Sequence, residues 1–473
     1  MIRLRLLREK LLSDPDLTES LKAAQVYGSL LNLIDIGQYD DPQLEVALAE
    51  RAYQRLPVLM EPEVKKDCLH IISEALIVGG HTRLMEKLGS MHETKPDLLV
   101  TRNADIRAKE RLSPLFTTIY EITPADLLDA VAKIRTLCSQ YQRLVLHIHS
   151  DDIVTVVACA LVKRTQAVTV AFVNHADHAF TFGSSIADYY FQLSSFGARL
   201  DKLKNIVGQT SFLGIPITNI KQKEEPTLST VLGKELHFFS SGSAVKFRPF
   251  RGATMRPLID KILKKWPEST FTFVGINIVS SSWLWPLKLR YGKRITVSRL
   301  LPYDQFIALS KKADFYMDSF PFPGGTAFAE QILAGKRGIG RSSKVQGYSP
   351  ADKLKKQNDE QVLESIENYR DEGVYEEILS VNGYDAVKTR YLDCLYANKT
   401  SNFSMESLVP WTGDAEYLKV RDHIFTPVDT KVIQYVYYYH KKLFWEIFYN
   451  LSWFNKVYFM RNMTRNAIRK LKP

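Results

Sequence analysis

The sequence predicts an α/β protein with two doubly wound parallel sheets, preceded by a helical segment and followed by a helical tail. Three observations predict it. From about residue 66 onward, short continuous apolar runs of β type alternate with helical stretches, the texture of strands covered on both faces. The alternation stops at a polar, unpatterned stretch, KQKEEPTLSTVLG (221–233), which reads as a linker, and then starts again. Finally, 473 residues exceed what one ordinary hydrophobic core spans.

Residues 1 to about 60 read as helices. In LTESLKAAQVYGSLLNLIDI apolar positions recur at three and four, and DDPQLEVALAERAYQRL looks like a capped helix with Pro42 near its first turn. No internal repeat emerges, and the segment reads as a packing or dimerisation unit. DCLHIISEAL (67–76) is the first expected strand, followed by the GGHTR turn and a helix through Met85 and Leu88. Strands are also expected at DLLVTRN (97–103), RLVLHIH (143–149) and AVTVAFVNH (167–175), with helices at PADLLDAVAKIRTLCSQY and DDIVTVVACALVKRT between them. The second set runs through strands GKELHFFSSGS (233–243), TFTFVGIN (270–277), RITVSRLLP (294–302) and DFYMDSFPF (314–322). Its helices are RPLIDKILKKWP, YDQFIALSKKA and TAFAEQILAG.

Composition narrows the class. Hydrophobic residues at 45% and charged residues at 24% exclude a disordered or fibrous chain. Cys68, Cys138, Cys159 and Cys394 lie far apart with no CxxC pair, which argues against a disulfide framework or a zinc site and fits a reducing compartment. The N-terminal MIRLRLLREKLLSDPD alternates charge with apolar residues, so it does not read as a secretory signal. Nor is there a charge-free apolar run of about 18 residues, so no spanning helix is expected. Of the net charge of +11, the residues from Lys431 to Pro473 carry +8, from nine Lys/Arg and a single acid, Glu446. There the basic residues interleave with Tyr437, Tyr438, Tyr439, Phe444, Trp445, Tyr449 and Trp453. Such a tail lies in the headgroup layer of an anionic membrane, or packs back over the first half; both readings stay open. With a nearly neutral body and no recognition module, nucleic acid is not an expected partner. The expected location is cytoplasmic, peripheral on the inner face of the plasma membrane.

The most informative segment is MDSFPFPGGTAFAEQILAG (317–335), which reads strand, Pro-rich turn, Gly-Gly-Thr, helix. Gly324 and Gly325 let a ligand approach the backbone, and the N–H groups that follow open a helix at the positive end of its dipole. That is a pyrophosphate site, with the Thr326 hydroxyl as a further donor. Glu330 falls four residues later on the same helix face, where a carboxylate accepts hydrogen bonds from ribose hydroxyls.

This segment resembles the donor-binding stretch of glycosyltransferases of the GT-B fold, in particular the O-GlcNAc transferase and bacterial adhesin glucosyltransferase group. Those carry a strand ending in Asp, a turn, Gly-x-Thr, and an acidic residue four positions on. Asp318, Gly324, Gly325, Thr326 and Glu330 match; Ala327 stands where that group often has a second Thr. The resemblance implies a GT-B architecture. It divides the chain into a helical extension (1–62), a Rossmann-like acceptor half (63–225), a Rossmann-like nucleotide-sugar half (226–400) and C-terminal helices (401–473). FFSSGSAVKFRPF (238–250), with Ser241 and Gly242 opening its loop, resembles the same group's pyrophosphate loop, and Lys246 is the matching lysine. A lysine there neutralises a diphosphate leaving group as a metal ion otherwise would, and Arg248 is an alternative. Asn277, ending GIN (275–277), reaches the same sheet edge as a donor contact. Tyr303, in a stretch that resembles the base-recognition segment, stands near the nucleobase or simply packs.

The first half is expected to supply acceptor binding and the catalytic base. In SEALIVGGHTR (73–83), Gly79 and Gly80 precede His81, a base candidate, and Arg83, which suits an anionic group. The alternative is a tight turn capped by His81 and Thr82. NHADHAFTFGSS (174–185), which resembles a cluster in bacterial surface-polysaccharide glycosyltransferases, brings His175, Asp177 and His178 to a strand end, the edge that His147 and His149 also reach. Their spacing does not make a metal site. The order of preference for the base is His175, His81, then Asp177, with His178 on the acceptor side. No metal and no cofactor beyond a nucleotide-sugar donor, a UDP-sugar, are expected. The acceptor is expected to be a glycan or lipid-linked glycan of bacterial surface polysaccharide or lipopolysaccharide. The rivals are a nucleotide-sugar 2-epimerase of the same fold, a protein O-glycosyltransferase and a non-catalytic scaffold.

Overall fold

The computed structural model describes residues 2–34, 36–60, 62, 64–77, 80–217, 235–371, 373–410, 413–415, 417–418, 430–450, 453, 456–457 and 460. The stretch 221–233, Gly79 and most of the chain beyond residue 450 lie outside them.

Two parallel sheets form the body. The first contains β1 (Lys66–Ala75), β2 (Asp97–Ala104), β3 (Ile119–Glu121), β4 (Tyr141–His147), β5 (Thr169–Val173), β6 (Tyr189–Gln192) and β7 (Gln209–Phe212). Its order is β3-β2-β1-β4-β5-β6-β7. The second contains β8 (His237–Ser241), β9 (Thr270–Val274), β10 (Ile295–Ser298), β11 (Phe315–Met317), β12 (Arg337–Arg341) and β13 (Lys355–Lys356), in the order β10-β9-β8-β11-β12-β13. Each order reverses direction once, between β1 and β4 and between β8 and β11. Such a reversal opens a crevice beyond the carboxyl ends of the strands.

The long apolar runs form strands where expected. β1 is buried continuously from Cys68 to Ser73, as a central strand covered by helices must be. Five strands have no counterpart in the sequence reading: β3, β6, β7, β12 and β13. They are two to five residues long, and β12, RGIGR, reads locally as a turn. Each is hydrogen-bonded to a neighbouring strand, a partner that no local pattern in the sequence announces.

The N-terminal helices Ile2–Ser13, Leu17–Leu33 and Pro42–Tyr53 belong to the first half. Asp16 caps the second, accepting from the N–H of Thr18 and Glu19, and Asp41 caps the third through Leu44 N–H. Their Leu21, Leu30, Leu44 and Leu48 share one core with Val131, Leu146 and Val157. The same core takes Ile433, Val436, Leu443, Phe444 and Ile447 from the helices Thr430–Tyr439 and Lys441–Asn450. The described part of the tail therefore packs back on the first half, while Tyr438, Tyr439, Trp445 and Tyr449 face outward.

The helix Tyr384–Ala397, counted in the sequence reading with the second half, also returns to the first. Its Val387, Tyr391, Cys394 and Leu395 pack on Cys68, Val145 and Phe191. The chain crosses back beside the outgoing segment: Ile217 N–H donates to Asn382 O at 2.7 Å, and Ile217 bridges Gly383. All four cysteines are free and buried. Among the described residues, no helix is long and apolar enough to cross a membrane.

Candidate functional site

The Gly-Gly-Thr loop after β11 is held from beneath. Asp318 is buried and ion-paired to Lys355 at 2.6 Å, and Lys355 pairs in turn with Asp352 at 2.5 Å. The two carboxylates raise the Lys355 pKa despite its burial. The other carboxylate oxygen of Asp318 accepts the N–H of Ser319 and of Gly324, both at 2.8 Å. Gly324 has no room for a side chain, because a Cβ would stand 2.6 Å from Asp318 Oδ1. Gly325 sits at φ +61°, ψ −113°, a conformation suited to glycine, and caps the helix Thr326–Leu333. A rigid loop thus presents Gly325 and Thr326 at the positive end of a helix.

Lys246 stands beside it on the short helix Ala244–Phe247. Its carbonyl accepts Phe322 N–H at 3.2 Å, which ties the lysine loop to the Pro-rich turn. Burial lowers the pKa of its ammonium. Among the described residues no carboxylate lies within ion-pair distance of it, so the cation is free to meet an anion.

These groups line a cavity of about 430 Å³ between the halves, a volume suited to a small-molecule ligand. The second half contributes Lys246, Phe322, Gly324, Gly325, Thr326 and Val345. The first contributes His178 and Phe180, and the N-terminal helical segment adds Leu31, Leu33 and Tyr39. The lining is therefore largely apolar, with Lys246 as its one ammonium among the described residues.

The histidines divide into two kinds. The side chain of His178 is 52% exposed, and its Nδ1 lies 3.3 Å from Asp177 Oδ1. Nδ1 can donate to that carboxylate oxygen, and in a neutral imidazole so arranged Nε2 carries the lone pair. Asp177 is itself fixed by the hydroxyls of Ser194 at 2.5 Å and Tyr348 at 3.3 Å. His175 and His81 instead join a row of imidazoles. His175 Nε2 meets His147 Nδ1 at 3.0 Å and its ring stacks on His81 at 4.3 Å. Burial drives His175 and His147 well below the ordinary imidazole value, and His81 down to about 4. Neither His175, His81 nor Asp177 lines the cavity; His178 does.

The other sequence-selected residues fall as follows. Asp318 is the internal lock of the loop. Ser241 is buried, its hydroxyl bonded to that of Tyr316 at 2.8 Å, and Gly242 N–H donates to Val274 O at 3.0 Å. Asn277 caps a short 3-10 turn, accepting Val279 N–H at 3.0 Å. Tyr303 opens the helix Tyr303–Lys311, and its side chain is outside the described atoms. Glu330 lies 3.9 Å from Lys87, which reaches it from the first half. Gly80 begins the helix Gly80–Gly89; Arg83 is exposed on it, one turn before Lys87. Sequence reasoning missed Lys355, Asp352, Tyr348 and the leucine wall. No local pattern marks them: Lys355 acts on Asp318 and Tyr348 on Asp177, both far away in the chain, and Asp352 matters only through Lys355.

No family model matches the chain, and no curated protein does. Among solved structures it is similar to Anabaena HepE in complex with UDP, at 12% identity over 70% of this chain and 100% of that one, with a TM-score of 0.50. It is also similar to an O-GlcNAc transferase mutant of Thermobaculum terrenum, at 15% identity over 87% and 82% of the two chains and a TM-score of 0.49. A UDP-GlcNAc 2-epimerase from Methanocaldococcus jannaschii aligns at 13% identity over 70% and 99%, with a TM-score of 0.42. The two all-parallel sheets, of seven and six strands, form a GT-B glycosyltransferase-like fold.

Proposed function

We propose that the chain is a glycosyltransferase that moves a sugar from a nucleoside diphosphate, a UDP-sugar, to an acceptor hydroxyl. The observation that carries this is the free Lys246 ammonium beside the Gly325–Thr326 helix start, across one cavity from an oriented imidazole. The lysine and the helix start stabilise the diphosphate as it leaves, which is the work a divalent cation does elsewhere. In this reading no metal takes part in transfer. Glu330 holds the ribose, and His178 rather than His175 or His81 takes the acceptor proton, because of these three histidines it alone lines the cavity.

The acceptor proposed is a lipid-linked glycan of surface polysaccharide or lipopolysaccharide assembly. Two features support it: the apolar cavity wall, and the outward Tyr438, Tyr439, Trp445 and Tyr449 beside Lys441 and Lys442. Aromatic and basic side chains on one surface suit an anionic headgroup layer.

Incubation with a panel of nucleotide sugars tests the reading. Transfer or donor hydrolysis is expected, whereas interconversion at C2 would make the protein an epimerase and absence of nucleotide binding would end both readings. In calorimetry, Lys246→Ala is expected to weaken UDP binding roughly 10- to 150-fold, the loss of a charge-assisted contact of about 1.5–3 kcal/mol. Unchanged affinity would remove Lys246 from the site.

A further inference from the structure

A second constellation lies on β1, away from the cavity. Cys68 and His70 alternate along the strand and so share one face. His92, from the loop before β2, and Tyr391, from the returning helix, close over it. The three atoms His70 Nε2, His92 Nε2 and Tyr391 hydroxyl oxygen form a triangle with sides of 3.1, 3.0 and 3.2 Å. The Cys68 sulfur lies within 4.8 Å of a ring nitrogen of each histidine. A tetrahedral zinc ion with ordinary zinc–nitrogen bonds holds neighbouring nitrogens ~3.3 Å apart, close to that triangle.

The surrounding hydrogen bonds aim the ring nitrogens inward. The Tyr396 hydroxyl donates to Asp67 Oδ2 at 2.8 Å, so its oxygen accepts from His92 Nδ1 at 3.0 Å. That leaves the His92 Nε2 lone pair pointing into the cluster. His70 Nδ1 faces His147 Nε2 at 3.1 Å, a partner that can accept its proton and free His70 Nε2 likewise. Metal-bound histidines use their second nitrogen in this way.

We propose that Cys68, His70 and His92 bind one divalent ion of the zinc class, with the Tyr391 hydroxyl at the fourth corner. A thiol with two imidazoles selects a borderline-soft ion over magnesium or calcium. On binding, the Cys68 thiol gives its proton to solvent and the thiolate takes its place on the metal. None of Cys68, His70, His92 and Tyr391 lines the cavity, so this centre is separate from the proposed transfer chemistry. Its role is a clasp that fastens the helix Tyr384–Ala397 and the loop before β2 onto the first sheet.

The full chain, stripped with a chelator and reloaded with Co2+, tests this. Expected is one cobalt per chain, with a sulfur-to-cobalt charge-transfer band and the visible bands of a tetrahedral site, both abolished by excess Zn2+. Cys68→Ala should lose the charge-transfer band. His92→Gln, altering a half-buried loop residue, should lose metal binding with its circular dichroism unchanged, and should lose any rise in melting temperature on adding Zn2+. Folded wild-type protein that takes up neither ion, or a tight site that survives both substitutions, overturns the proposal. The cluster would then be a hydrogen-bonded array alone, and neither result bears on UDP binding.

Discussion

Replacing Gly324 with alanine sets one added methyl group against a buried ion-pair network. The new Cβ would stand 2.6 Å from Asp318 Oδ1, so the two must part by roughly 0.8 Å to reach ordinary contact. Asp318 cannot easily retreat, because Lys355 holds it at 2.6 Å and Asp352 holds Lys355 at 2.5 Å, all buried. The loop must move instead. It then loses the Gly324 N–H bond to Oδ1, a bond to a charged acceptor contributing about 1.5–3 kcal/mol. Urea unfolding is expected to show a loss of about 2 kcal/mol. Because Gly325 and Thr326 ride on that loop, calorimetry is expected to show UDP affinity falling about tenfold or more. A variant with wild-type stability and wild-type UDP affinity would refute both the lock and the location of the diphosphate.

Three further outcomes are expected. His178→Gln should lower kcat by about 10²- to 10⁴-fold with little change in donor KM, and an unchanged kcat would return the base to His175 or His81. Glu45, buried and bonded to the N–H of Gly183 and Ser185, has its pKa raised from 4.5 to about 7 by burial. The folded chain therefore keeps this proton where the unfolded chain has lost it. The associated stability is fully present below pH 4.5 and is lost as pH rises through 7, by about 3 kcal/mol. Urea midpoints across that range should show the slope in wild type and not in Glu45→Gln; equal slopes would exclude Glu45 as its source. Trp445→Ala with Lys441→Glu and Lys442→Glu should reduce sedimentation with anionic vesicles at unchanged melting temperature, and undiminished sedimentation would remove that face as the membrane contact.

The two sheets were legible because buried parallel strands must be apolar throughout, a local property that LVLH or TFTFV displays by itself. β12 was not, because RGIGR is a strand only between β11 and β13. The Gly-Gly-Thr loop was legible in its glycines and its helix start, both neighbours in the chain. The part played by Asp318 was not, since its partner Lys355 lies on another strand and nothing near either residue announces the pair. The histidines show the same limit most sharply. His175 and His178 are three residues apart and equally suited to proton transfer by type. Only the turn between them sends one ring inward to His147 and the other outward to the cavity. Residue type proposed the chemistry; direction, a property of the folded backbone, chose among candidates.

The paired crossings at Ile217 and Asn382–Gly383 place the outgoing and returning segments side by side. Because they are hydrogen-bonded to each other, they form one strap rather than two separate connections. The apolar seam of Tyr39, Phe196, Leu200, Val345 and Tyr417 also spans both halves. The halves are thus fastened in part by backbone hydrogen bonds and in part by apolar packing, a covalent connection reinforced by two kinds of contact.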